Sequence, residues 1–224
     1  MALLYDLREL ANNKDVVALQ NRQRDFSPYL VHLTSYSANR PVRELLKGQI
    51  QPFDISGAMD MADERSFEIF QKIISSGSLR TNSPQENQDL KPCVCLSECT
   101  LSGSIDHSER YGRFGFVFEK QRAYAFGARP CLYMDDEVYG EIDKRHDEGE
   151  IAGRCHSLAN VYRPSGYGQV QDFTIEREWR CFANVQTIAA CAVLCPQNYY
   201  TKVRKLVSTD IPIYSLDMLY KWCV

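Results

Sequence analysis

Three short stretches place polar side chains where strands are otherwise apolar. In Tyr29-Leu-Val-His-Leu-Thr-Ser35, His32 and Thr34 stand two apart, so a strand presents both on one face. A second run, Cys93-Val-Cys-Leu-Ser97, ends on Ser97 and Glu98. In the third, Glu176-Arg-Glu-Trp-Arg180, Glu176 and Glu178 share a face if the strand begins there. Two carboxylates side by side repel each other, and are tolerated where an arginine or a ligand hydroxyl receives them. The alternative is that they pair with Arg177 or Arg180 on an exposed face.

The sequence holds nine cysteines, an odd number. Zinc needs four converging ligands, usually two short-spaced pairs. Cys93, Cys95 and Cys99 form one C-x-C-x3-C cluster, but no second C-x2-C or H-x3-H pair follows. Thiols two apart on a strand share a face, so Cys93 and Cys95 are expected to be core-facing, with no metal bound. The glycines of Tyr111-Gly-Arg-Phe-Gly115 do not make G-x-G-x-x-G, and neither G-x4-G-K-[ST], H-E-x-x-H nor G-x-S-x-G occurs. His32-Leu-Thr34 matches one half of a two-histidine phosphoesterase site, but His107, His146 and His156 are not followed by the second half.

The elements that must position these residues read as α+β, with helices first and strands mostly in the second half. The 224 residues, 44% apolar and 25% charged, suit one soluble domain. A helix over Ala2–Asn13 and the polar approach to Pro28 make an N-terminal extension, 1–28. The core, 29–224, begins with the His32 strand. Helices are expected over Pro41–Lys47 and Asp60–Ser76, the latter with Phe67, Phe70, Ile73 and Ile74 on one face and Gly77 as its stop. Strands follow at Cys93–Ser97, Phe114–Phe118 and Pro130–Tyr133, with a helix near Lys120–Phe126. The segment 134–170 is expected to be an acidic, solvated insertion. Glu178–Asn184 and Thr187–Leu194 read as two further strands, Pro196–Leu206 as a helix, Ile211–Ser215 as a last strand and Leu216–Trp222 as a terminal helix. A net charge of −3 excludes a whole-surface polyanion binder. Arg22, Arg24, Arg40, Arg43 and Lys47 leave room for a local basic groove, with Tyr36 available for stacking. Charges near the N-terminus and a longest apolar run of only Ile188–Cys195 point to a cytoplasmic protein without a membrane span.

Taken together, Tyr29-Leu-Val-His-Leu-Thr34, Ile73-Ile-Ser-Ser-Gly-Ser-Leu-Arg80, Cys93-Val-Cys-Leu-Ser-Glu98, Arg110-Tyr-Gly-Arg-Phe-Gly-Phe-Val-Phe118, Gly127-Ala-Arg-Pro-Cys-Leu-Tyr133 and Phe173-Thr-Ile-Glu-Arg-Glu-Trp-Arg180 resemble the AbiGi-type abortive-infection proteins of bacterial phage defence. Their order also resembles the mono-ADP-ribosyltransferase fold, in the His-bearing branch that includes DarT-type toxins and RNA 2′-phosphotransferases. The likeness covers roughly residues 29 to 183. It implies a split antiparallel sheet and transfer of ADP-ribose from NAD, without a metal, to a nucleic acid or protein acceptor. Glu178, preceded by Glu176, takes the catalytic position, where a carboxylate hydrogen-bonded to the ribose 2′-OH stabilises oxocarbenium charge. His32 takes the NAD-gripping position with Thr34 beside it, Ser97 the second-strand position, Tyr111 or Tyr36 the nicotinamide-stacking position, and Arg113 or Arg129 reaches the pyrophosphate. The alternative is a non-catalytic partner, an antitoxin or regulatory subunit of a two-gene defence module. Each role also has an ordinary structural counterpart: His32 held by a backbone carbonyl, Tyr111 packed in a core, Ser97 capping a turn.

Overall fold

The structure is a computed structural model that describes residues 27–34, 55–81, 91–99, 108, 111–145, 147–162 and 177–218, with 55–62 described through their backbone alone. It is α+β. Among the described residues, seven strands form one mostly antiparallel sheet in the order β11-β10-β4-β1-β3-β8-β5. In chain order these are β1 (Tyr29–Leu33), β3 (Val94–Ser97), β4 (Gly115–Glu119), β5 (Arg129–Pro130), β8 (Glu178–Cys181), β10 (Ala192–Cys195) and β11 (Ile213–Ser215). Two small pairs flank it: β2 (Ser78–Leu79) with β9 (Val185–Gln186), and β6 (Leu132–Met134) with β7 (Ala159–Val161). Among the described residues the α-helices are α1 (Ile55–Ser76), α2 (Lys120–Ala125), α3 (Asp136–Lys144), α4 (Glu150–Leu158) and α5 (Tyr200–Arg204). None of the described helices is long and apolar enough to cross a membrane.

Alternation along the strands divides the sheet into two unlike faces. Leu30, Val94, Leu96, Phe116, Phe118, Cys181 and Val193 are buried in one cluster, closed by Phe67, Phe70, Ile73 and Ile74 of α1. Those helical positions repeat every three or four residues, so one stripe of α1 meets the sheet. Phe70 stacks on Phe116 with ring centroids 5.0 Å apart. Truncating such a ring to alanine costs about 3–5 kcal/mol. Opposite, Val31 and Leu194 make a smaller apolar cluster with Cys99 and Leu216. Further along that face, on β3 and β8, the side chains become polar.

Two glycines let β1 and β4 approach. Leu33 pairs with Gly115, and a Cβ there would stand 2.8 Å from the His32 carbonyl oxygen. At Gly112, φ is +104° and a Cβ would stand 2.3 Å from the Thr34 carbonyl oxygen. The glycines of Tyr111-Gly-Arg-Phe-Gly115 therefore serve close backbone contact.

Several expectations change. The acidic segment after Tyr133 is not only a solvated insertion. It folds as α3 and α4, capped by Asp135 accepting from the Val138 N–H at 2.9 Å, and returns as β7 in parallel register with β6. Its helices hide His156, whose Nε2 lies 2.9 Å from an Asp143 carboxylate oxygen. The strand expected to run to Asn184 ends at Cys181, and Thr187–Ala189 is a 3-10 turn before β10. Helix α1 begins at Ile55, earlier than its apolar stripe. The helices expected over Ala2–Asn13 and Pro41–Lys47 lie outside the described residues, as do Tyr36, Glu176 and the basic set Arg22, Arg24, Arg40, Arg43 and Lys47.

Candidate active site on the polar face of β3 and β8

The register of β3 on β8 sets Ser97 opposite Glu178 and Cys95 opposite Arg180. Directly opposed residues share a face, so Cys95, Ser97, Glu178 and Arg180 form one polar patch. Glu178 is engaged from both sides. Arg180 grips it as a fork, Nε to Oε1 at 3.0 Å and an NH2 nitrogen to Oε2 at 3.0 Å. Asn160 of β7 donates to Oε2 at 3.2 Å. A carboxylate offers about four lone-pair positions, and the Cys95 and Cys131 thiols also stand within hydrogen-bond reach of this one, so groups of the fold itself occupy it. The backbone is held too: the Glu178 N–H donates to the Tyr133 hydroxyl at 2.8 Å, and the Cys131 N–H donates to the Glu178 carbonyl at 2.8 Å. Before it, Arg177 turns through a left-handed φ of +40°, and its carbonyl accepts the Glu98 N–H at 3.1 Å. A non-glycine residue in this region stores strain, here at the entry to β8.

The Arg180 guanidinium is almost enclosed. One nitrogen donates to the Ser157 carbonyl at 2.8 Å and the Ala159 carbonyl at 3.1 Å, the C-terminal end of α4 and the first residue of β7. Burial works against its charge, but the hydrogen bond and charge of Glu178 prevail and move its pKa above the ordinary range. The α3–α4–β7 segment is thus anchored to the sheet through the residue that clamps Glu178.

His32 reaches the same region from β1. Strand β1 pairs with β3 at one position, Val31 with Ser97. Beyond it the His32 Nδ1 lies 2.8 Å from the Cys95 carbonyl oxygen. A carbonyl only accepts, so Nδ1 carries the hydrogen. Burial pushes the His32 pKa down, partly offset by this bond, so the ring is neutral and Nε2 is left as an acceptor. Pairing with Phe116 puts His32 on the apolar side of the pleat, across from Ser97 and Glu178. Thr34 is buried, and its hydroxyl donates to the Phe114 carbonyl at 3.0 Å. Tyr111 is half-buried near Gly112. Arg113 pairs with Asp63 at 3.0 Å and with Asp217, while Arg129 donates to the Ala128 carbonyl at 2.7 Å and stacks 3.8 Å over the Tyr124 ring. The structure therefore brings Ser97 and Glu178 together, ties His32 to their strand from the other side, and gives Thr34, Arg113 and Arg129 internal partners.

Around the patch stand thiols. Cys93 is buried, but Cys95 is exposed, unlike the expectation that both face the core. Val94 and Leu96 take the core side, which leaves the residues between them on the polar side. Cys131 is buried and shifted upward by burial, with the Glu178 charge adding to it. A cavity of about 680 Å³ opens at the β5 edge, walled by Lys91, Phe126, Arg129, Arg154 and Phe182 among others; His32, Ser97 and Glu178 do not line it.

Arg180 was visible as a partner for Glu178 from its spacing alone, two residues on along a strand. Asn160 and Tyr133 carried no such signal, because they arrive through the fold of the acidic segment. Glu98 is likewise a paired structural carboxylate, 2.7 Å from Lys120 Nζ and 3.3 Å from the Trp179 indole nitrogen. No family model, curated protein or solved structure matches the chain.

Proposed function

We propose that the chain is an ADP-ribosyltransferase of the phage-defence type, which uses NAD as substrate and a nucleic acid or protein as acceptor. One observation carries this reading. The His, Ser and Glu positions that the resemblance implies, far apart in sequence, fall on three successive strands, β1, β3 and β8, with Ser97 directly across from Glu178. The chemistry follows from the groups present. Glu178 accepts the ribose 2′-OH in place of one of its present partners, and its carboxylate stabilises positive charge as the nicotinamide–ribose bond breaks. His32, on the other side of the pleat, acts on the site through the Cys95 carbonyl that it holds. Ser97 stands beside Glu178 to orient the ligand.

A second reading, a non-catalytic partner on the same scaffold, is favoured by the closed set of contacts around Glu178 and by the position of the cavity away from it. Incubation with labelled NAD and separate DNA, RNA and protein pools distinguishes the two. The transferase reading expects label transfer or nicotinamide release, reduced about 10²–10³-fold in Glu178→Gln. Absence of both from folded wild-type protein in every pool supports the partner reading.

A further inference from the structure

The polar face carries a feature that neither reading uses. Cys93, immediately before β3, and Cys95, within it, place their sulfurs 3.8 Å apart, one buried and the other exposed. We propose that Cys93 and Cys95 form a reversible dithiol–disulfide pair, oxidised by a small hydroperoxide.

The geometry meets the requirements of the bond. Residues two apart on a strand separate their Cα atoms by about 6.4–6.8 Å, and disulfides span about 4.4–6.8 Å. The pair sits at the upper end of that range, where a closed bond is strained and readily reduced again. Alternation turns both side chains to one face, so closing the bond needs sulfur movement and no change of register.

The two thiols shift in opposite directions. The Cys93 pKa is lowered by the hydrogen bond from Cys95; burial opposes this and the Arg180 charge assists it. Cys95 is shifted the other way, first by the same hydrogen bond and then by burial. The displaced thiols elsewhere among the described residues, Cys131, Cys191 and Cys195, all move upward, with burial as the main cause. With the sulfurs 3.8 Å apart either can close on the other, and the exposed one, Cys95, gives a peroxide access to the pair. In the first step one of the two sulfurs attacks a peroxide oxygen; the O–O bond breaks, the leaving hydroxide takes a proton to become water, and a sulfenic acid forms. In the second, the other sulfur attacks the sulfenic sulfur and displaces hydroxide, which takes the attacking thiol's proton. Two thiols and one hydrogen peroxide give one disulfide and two waters.

Because Cys95 lies opposite Arg180 and its carbonyl holds His32, the bond forms at the junction of β1, β3 and β8. The inference does not depend on transferase activity, and its test reads the bond itself. Native full-length protein is treated with hydrogen peroxide, remaining thiols are alkylated, and cleavage after Glu98 separates the pair from Cys99 before mass mapping. The expected result is a peptide lighter by two hydrogens with Cys93 and Cys95 both unalkylated, restored by dithiothreitol. In Cys93→Ser and Cys95→Ser the resolving partner is missing, so a sulfenic-acid trap such as dimedone labels the remaining cysteine of the pair in at least one of the two variants. Alkylation of both residues after a treatment that oxidises other thiols overturns the proposal, as does linkage of either to Cys131 or formation of the bond only in denaturant.

Discussion

Replacing Glu178 with alanine removes the carboxylate and leaves the Arg180 guanidinium enclosed with only the Ser157 and Ala159 carbonyls as neutral partners. The side chains of the pair are 11% and 13% exposed, so water does little to compensate the loss. Breaking one half of such a buried pair costs about 3–5 kcal/mol, whereas replacing both halves with well-packed apolar residues is often neutral or stabilising. The single variant is therefore expected to lower the urea midpoint by about 1–2.5 M, for a dependence of about 2–3 kcal/mol per molar. The double replacement Glu178→Leu with Arg180→Met should recover most of it, although the two carbonyls that Arg180 served then need other donors. Urea unfolding of the wild type, Glu178→Leu, Arg180→Met and the double variant at one pH gives the coupling directly. If the single changes cost under about 1 kcal/mol each, as in exposed pairs, or if their effects simply add, the account of Glu178 as half of a buried clamp is wrong.

Other tests probe the frame around the site. Gly112→Ala collides with the Thr34 carbonyl at a positive φ and should cost about 3 kcal/mol or more. Gly77, at φ +70° after α1 with nothing within 4 Å of a Cβ, should lose only about 1 kcal/mol on the same change; equal drops in melting temperature would refute the close approach. Burial keeps His32 neutral and its pKa below the usual 6.5. As pH falls below that value the unfolded chain takes up the proton first, so stability present above it is lost, at up to about 1.4 kcal/mol per pH unit. Chemical denaturation across about pH 5–7 should show a shallower loss in His32→Gln; parallel curves would place His32 in contact with water.

What the residues determined by themselves is local. Period-two alternation in Cys93–Ser97 and Glu178–Arg180, and three-to-four spacing in Phe67, Phe70, Ile73 and Ile74, follow from strand and helix geometry, so they were legible without the fold. The strands bearing His32, Ser97 and Glu178 could be placed in the same way, and so could Arg180 as a same-face neighbour of Glu178. The alternation of β3 also correctly predicted a shared face for Cys93 and Cys95, but not which face, because burial depends on which side of the sheet joins the core cluster that holds Val94, Leu96 and Phe70. Long-range pairing decided the rest. Only the sheet order set Ser97 across from Glu178, and only the return of the acidic segment as β7 brought Asn160 to its carboxylate and the Ser157 and Ala159 carbonyls to Arg180. Side-chain period is written in consecutive residues, whereas register and docking depend on contacts between segments that only meet once the chain has closed on itself.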